Sequence, residues 1–408
     1  MIFGGTLSRS IFWELLRVFC LTLTGLTGLF LAGLVIQNAS QLGLSLGKTV
    51  AVIPLLVPMT LPYTIPATTL FAACVVYGRI AHDNEAVAVK AAGIDLLTLL
   101  RPAVLLGILT TATTAFLSYS VIPNTQRLLQ DEVLKDPEEV LYNLLKKDRS
   151  YRSPGSPYVL YVKDVQNRRL IDVVFKRRKK PGPNAPADAF IGYDFIARAR
   201  EAKLRVDLEK KVLIIDPDQF VAIGDGAVVN ANGNREIEIP LPPVFAASEV
   251  RKRPPAMDWD DLPVRAAELQ ADYDILQRRY DEAKALSVAR HDPLILSSQE
   301  ALFVGGLLYK QREILNIWNE YYMRPALAAG CFCFALIGCP VGLRARRADY
   351  LSVFVVCFLP AAFTYYPLLL AGSNMGRSGR VPVVVGVWMA NAAALFAALV
   401  LMWRLIRR

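Results

Sequence analysis

Six long apolar stretches, set in two groups of three around the polar segment 123–323, constrain this chain more than any motif in it. Three precede the polar segment, at 12–36, 53–78 and 102–122. Three follow it, at 325–343, 351–371 and 383–403. A helix needs about 20 apolar residues to cross a hydrocarbon core. Backbone amides and carbonyls cannot stay unpaired in lipid, so such stretches must be helical. The expected fold is therefore an α-helical membrane protein with six spans in a three-plus-three arrangement and one large inserted domain. A mean hydropathy of +0.34 agrees with this.

Charge orients the spans. One face of the short connections collects Arg9, Arg79, Lys90, Arg101, Arg344, Arg346, Arg347, Arg404, Arg407 and Arg408, whereas the other holds Lys48, Arg377 and Arg380. Ten cations against three is a positive-inside signal. It predicts cytoplasmic N and C termini and an external location for 123–323. A cleavable signal peptide is not expected, because Phe12 to Ile36 is long and no small-residue cleavage site follows a short core.

The six cysteines all lie in apolar stretches, so no disulfide framework is expected in the external domain. They read as small packing residues. Cys331 and Cys333 point to different helix faces, and with two histidines in the chain no metal site is expected. Gly25, Gly28 and Gly33 in span 1 would permit close helix packing. In span 2, Pro54, Pro58, Pro62 and Pro66 share one broad face. Each removes an amide donor, which predicts a kinked or partly unwound outer half, regular helix from about Pro66 inward, and cover by protein rather than lipid.

After span 2 a short cytoplasmic amphipathic helix is expected at about 83–93. Asp83 would cap it, Glu85, Ala86, Val89 and Lys90 would form it, and Gly93 would end it. Pro102 would open span 3. Residues 123–150 read as charged helix. From 158 the period changes: Tyr158–Val162, Leu170–Phe175, Leu204–Leu208, Val212–Ile215, Gln219–Ile223 and Ile237–Ile239 alternate or are β-branched, and Asn232-Gly233 marks a turn. These predict a β-sandwich or jelly-roll-like domain over 123–257. The five cations Lys176–Lys180 could attract anionic phosphate groups, but the run reads rather as a solvated hairpin loop.

Residues 258–323 return to helix. Leu262, Ala266, Leu269, Tyr273, Leu276, Tyr280 and Ala283 form a heptad stripe, which predicts an antiparallel helix pair within the chain. Ser297 or Ser298 would cap the second helix, and Glu320 and Arg324 are spaced to pair. The expected domains are thus 1–122, 123–257, 258–323 and 324–408.

Enzyme signatures are missing from the sequence. Gly47-Lys48-Thr49 resembles the tail of a phosphate-binding loop, but Leu42 stands where the motif needs glycine. No HExxH or paired metal-binding cysteines occur. The only carboxylate within the apolar stretches is Glu14, near one edge, which argues against an ion-coupled carrier. An energy source on another polypeptide would fit, with the helix around Glu85 as its handle.

The stretch Gly78-Arg79-Ile-Ala-His-Asp83-Asn-Glu85-Ala-Val-Ala-Val-Lys-Ala-Ala-Gly93 resembles the coupling region of LptF/LptG (YjgP/YjgQ) permeases of the lipopolysaccharide-export ABC transporter. Glu320-Tyr-Tyr-Met-Arg324-Pro-Ala, Pro340-Val-Gly-Leu-Arg344, Tyr365-Tyr366 and Trp388-Met-Ala-Asn391 continue the resemblance in order. It implies a periplasmic jelly-roll-like domain, an inner-membrane location, and docking of an LptB-like cytoplasmic ATPase on the helix carrying Glu85, with Asp83, Arg79 and Gly93 beside it. It further implies a second LptF/LptG-like permease and LptC/LptA-like jelly-roll proteins as partners, with lipopolysaccharide or a related lipid as cargo. The lipid would enter sideways between spans 1 and 5. Arg324, Glu320, Trp388 and Asn391 would serve structure or the lipid path. No cofactor, metal or nucleic acid is implied. The chain departs from the family at the outer end of span 1, which reads Gln37-Asn38 where basic residues are usual, and in the long helical stretch 262–317. A membrane scaffold that recruits envelope proteins is the alternative from another class. A membrane-embedded hydrolase lacks the clustered nucleophile or metal site that it would need.

Overall fold

The computed structural model describes residues 6–42, 46–93, 96–134, 137–152, 158–166, 168–178, 193–207, 210, 212–224, 227–231, 237–240, 253–289, 300–344, 355, 359 and 361–407. Ten α-helices and seven strands lie among them. Helices α1 (Thr6–Leu42), α2 (Leu46–His82), α3 (Glu85–Ala91) and α4 (Leu96–Phe116) come first. A π-helical turn, Leu117–Val121, leads into α5 (Ile122–Leu134) and α6 (Pro137–Asp148). After the strands follow α7 (Asp261–Ala289), α8 (Glu300–Arg344), α9 (Tyr366–Arg377) and α10 (Val383–Ile406).

Among the described residues five helices are long and apolar enough to cross a membrane: Thr6–Gly33, Ile53–His82, Thr98–Leu129, Leu302–Arg344 and Val383–Leu405. They coincide with five of the six apolar stretches. Most of the remaining stretch, 351–371, lies outside the described residues. The helices differ in how deeply they sit within the protein. Spans from α2 and α8 are 72% and 67% buried, whereas the one from α1 is 17% buried. Helices α2 and α8 thus form the centre, and α1, α4 and α10 pack around them.

Small residues make that centre. Gly338 and Gly342 of α8 face Ala73, Cys74, Tyr77 and Gly78 of α2 so closely that a Cβ at Gly342 would lie 2.7 Å from the Cys74 carbonyl oxygen. Gly25, Gly28 and Gly33, by contrast, have nothing within 4 Å of a built Cβ, so they make no close packing among the described residues.

Helix α2 runs without a break through Pro54, Pro58, Pro62 and Pro66, against the expectation of an unwound outer half. The four-residue spacing explains it. Proline 58 would have donated to the carbonyl of Pro54, Pro62 to that of Pro58, and Pro66 to that of Pro62. The lost bonds therefore line up in one file and leave the others intact. The expected cover by protein holds only in part: Pro62 and Pro66 are buried, Pro58 is half-buried and Pro54 is exposed. Helix α4 likewise starts at Leu96, before Pro102.

The strands are β1 (Ser150–Arg152), β2 (Tyr158–Gln166), β3 (Arg169–Arg178), β4 (Tyr193–Asp207), β5 (Val212–Gly224), β6 (Ala227–Ala231) and β7 (Ile237–Pro240). They form one antiparallel sheet in the order β1-β2-β3-β4-β5-β6, with β7 also on β5. Alternate residues of the central strands, Leu160 and Val162, Val173 and Phe175, Ala197 and Ala199, and Leu213 and Ile215, point to one face. Helix α6 covers that face with Leu141, Tyr142 and Leu145. Tyr142 fixes the position, because its buried hydroxyl accepts from the Leu204 amide at 2.7 Å.

Helices α7 and α8 are antiparallel, as the heptad stripe predicts. Leu262, Ala266 and Leu269 pack on Ile314 and Ile317. Lys310 pairs with Asp272 at 2.9 Å, and Gly306 lies under Leu276. At 45 residues, α8 is roughly 67 Å long. A bilayer core takes up about 30 Å, so more than half of α8 projects beyond it. The candidate caps Ser297 and Ser298 lie outside the described residues.

Candidate functional site

The connection between α2 and α4 is built around a single arginine. Arg79 sits in the last turn of α2 and reaches three carboxylates. Its Nε and Nη2 donate to the two oxygens of Glu14 on α1 at 2.6 and 2.7 Å. Its Nη1 donates to Glu85 at 3.2 Å and to Asp83 at 3.3 Å. The fork on Glu14 matches carboxylate geometry at both oxygens, the strong form of such a pair. It also explains how a carboxylate is tolerated in an apolar helix: it is never offered to lipid alone.

Local backbone sets Glu85 in place. Asn84 adopts φ +58 and ends α2, and its carbonyl accepts from the amides of Val87 and Ala88, so α3 starts at once. Asn84, not Asp83, therefore stands at the helix entry. The Asp83 side chain turns back to His82 Nδ1 at 3.1 Å and to Arg79. The His82 hydrogen bond, with help from Arg79, holds the Asp83 carboxyl below the usual carboxylate range. Gly93 ends the segment at φ +75, a conformation that side chains strain to adopt.

Four of the predicted residues, Arg79, Asp83, Glu85 and Gly93, thus belong to one structure. Glu85 and Asp83 keep 42% and 43% of their side-chain surface exposed. Counting Arg79 against Glu14, Asp83 and Glu85, the cluster is net negative by two and presents its carboxylates outward. Sequence reading missed the part Glu14 plays. The available signal was a lone carboxylate at the same membrane edge as Arg79.

The other four predicted residues divide. Arg324, 4% exposed, donates to the carbonyls of Pro254 and Met257 at 3.1 and 2.9 Å and to Glu320 at 3.2 Å. Arg127 from α5 grips the same segment through Ala256 and Asp258, and Trp259 stacks on Tyr321 at 4.6 Å. These contacts clamp the segment entering α7 onto α5 and α8. Asn391, 3% exposed, accepts from the Tyr365 hydroxyl at 2.9 Å and donates to the Ala326 carbonyl at 2.7 Å, joining α10, α8 and the turn before α9. Trp388 is 37% exposed and joins neither group. Among the described residues no cluster of histidine, cysteine and carboxylates could hold a metal ion.

A family model described as "Lipopolysaccharide export system permease LptF/LptG" matches residues 9–189 and 261–404. The two segments hold all five candidate spans, the acidic cluster and the α7–α8 pair, while strands β4 to β7 fall between them. No curated protein matches the chain.

Proposed function

Because the chain belongs to the LptF/LptG family of lipopolysaccharide export permeases, we propose that it is one permease half of a lipid-exporting ABC transporter, driven by a separate LptB-like ATPase docked on α3. In this reading the chain has six spans, with 351–371 as the fifth. Both termini and α3 are cytoplasmic, and the sheet is the periplasmic jelly-roll-like domain. A second LptF/LptG-like chain completes the cavity, and LptC/LptA-like proteins receive the lipid from the sheet.

One observation carries the docking role: a half-exposed carboxylate, Glu85, set by a strained turn on a short helix at the end of the bundle. The helix has seven residues and cannot hold its shape alone. The Arg79 contact and the packing of Ala86 against the α1–α2–α4 core keep it folded. A surface built this way is preorganised for a partner. Supporting the lipid path, α1 leaves Leu21, Leu29 and Ile36 about 70% exposed, an apolar face open to lipid or to a second permease.

The test is co-purification with the ATPase. Glu85→Gln removes the charge, and Glu85→Arg reverses it. An exposed charge pair contributes roughly 0.2–1 kcal/mol, but truncating one member of a desolvated interfacial pair costs about 2–5 kcal/mol. Glu85→Gln is therefore expected to weaken ATPase binding at least tenfold, and Glu85→Arg to abolish it, with membrane insertion unchanged. Wild-type binding in both variants would remove the docking role.

A further inference from the structure

The Arg79 cluster does more than shape a docking surface, and the inference drawn from it rests on the permease reading above. The same guanidinium holds Glu85 on α3 and Glu14 on α1. It therefore connects the helix that meets the ATPase to a span that leaves most of its outer half uncovered. Near Glu14, α1 is anchored: Ile11 and Leu15 are 4% and 0% exposed and pack with Val76, Ile80, Leu99 and Leu106. The anchor continues through Phe19 and Leu23; beyond it contact thins to points such as Thr27, whose hydroxyl lies 3.3 Å from that of Thr64, and a touch on α6. Gly25, Gly28 and Gly33 meet nothing within 4 Å. A helix packed over its inner half and little covered over residues 24–33 responds to a small displacement at Glu14 by tilting that outer part. From Glu14 to Leu29 the lever is roughly 22 Å long.

We propose that Arg79 is a positioning residue that links α3 to α1, so that capture of Glu85 by a docked partner shifts Arg79 and, through Glu14, the outer half of span 1. The geometry gives the direction of the exchange. Nη1 is shared between Glu85 and Asp83, at the longer distances of 3.2 and 3.3 Å, while Nε and Nη2 are committed to Glu14 at 2.6 and 2.7 Å. When a basic partner takes Glu85, the contact from Nη1 to Glu85 is the one that yields. The guanidinium then re-centres between Glu14 and Asp83 and carries Glu14 with it. Because the Glu14 fork is the stronger contact, Arg79 and α1 move together instead of separating.

The experiment uses the full complex, with the ATPase and the second permease, in proteoliposomes loaded with lipopolysaccharide. Three quantities are read: ATPase retained, ATP hydrolysed, and lipopolysaccharide extracted per ATP. Spin labels at Leu29 and Phe116, both exposed, report the nucleotide-dependent distance between α1 and α4. Glu14→Leu should keep the ATPase bound and hydrolysing, lower extraction per ATP at least tenfold, and abolish the nucleotide-dependent distance change. Glu14→Asp keeps the charge and should recover most of the coupling. The proposal is overturned if extraction per ATP in the Glu14→Leu complex stays within twofold of wild type, if that variant loses the ATPase, or if Glu14→Asp is as impaired as Glu14→Leu. A wild-type complex that neither binds the ATPase nor extracts lipid would instead overturn the permease reading, and this inference with it.

Discussion

Replacing Gly342 by alanine probes the contact on which the bundle is built. A Cβ there would lie 2.7 Å from the Cys74 carbonyl oxygen, 2.9 Å from Tyr77 Cβ and 3.0 Å from the Gly78 amide nitrogen. Two of those atoms are backbone and the third is the first side-chain atom, so no rotamer change relieves the crowding. Ordinary contact begins at 3.4 Å, so α8 and α2 must part by about 0.7 Å at this point. A gap of about 0.5–1 Å forfeits a quarter to a half of each dispersion contact along the crossing, and overpacking of this kind costs about 1–3 kcal/mol. The better helix propensity of alanine returns about 1 kcal/mol. The expected net loss is thus about 0–2 kcal/mol, measured on the isolated chain by reversible unfolding in mixed micelles titrated with dodecyl sulfate. Gly25→Ala is the control. With nothing within 4 Å of its Cβ, it should keep the propensity gain and unfold no earlier than wild type. Equal midpoints for Gly342→Ala and Gly25→Ala would refute the claim that α2 and α8 touch through backbone at this crossing.

Three further outcomes follow from other contacts. Tyr142→Phe leaves the Leu204 amide buried without its acceptor, a loss of about 1–3 kcal/mol; faster hydrogen exchange at Leu204, with the rest of the sheet unchanged, is the expected readout. Asn391→Leu removes both its bonds and strands the Tyr365 hydroxyl; interhelical hydrogen bonds in membrane proteins average about 0.6 kcal/mol, so roughly 1 kcal/mol should be lost in the same micelle titration. The Asp272 carboxyl is held below its ordinary range by the Lys310 hydrogen bond and charge. Its folded pKa is thus the lower one, so its stabilisation of the α7–α8 pair is present above the unfolded value near 4 and fades as pH falls through the folded value. Asp272→Asn should abolish this acid-dependent part of the pair's hydrogen-exchange protection.

The helical frame was legible because apolar length is a strong signal, and the positions of its spans follow directly. How the spans share the interior was less legible. Glycines drew attention in span 1, where they meet nothing, and not at Gly338 and Gly342, which make the central crossing. The two sets look alike in sequence, and what separates them is the helix each one faces. The sheet shows a related effect. Residues 193–203 begin β4 but carry Ala197, Ala199 and Ala202 among charged residues, a composition with little strand propensity. In the fold these alanines are 3%, 6% and 2% exposed on the face that α6 covers. Their fitness lies in the space they leave, which no local pattern records.

The acidic cluster was partly legible for a similar reason. Arg79, Asp83, Glu85 and Gly93 lie within fifteen residues, and a motif can hold them together. Glu14 is 65 residues from Arg79 and joins them only because α1 and α2 pack in antiparallel register. A rule of membrane energetics bridges that separation: an ionised carboxylate in an apolar helix has to be matched, and the match must come from a cation at the same depth. Glu14 is close to one end of its apolar stretch and Arg79 is close to the corresponding end of the next, with an antiparallel connection between them. Depth matching thus narrows the partner to the cations at that edge, Arg79 among them. It also accounts for why the arginine ends α2 instead of standing within α3. Placed on α3 it could reach Glu85 but would leave Glu14 at the lipid edge unpaired, whereas in the last turn of α2 it serves both.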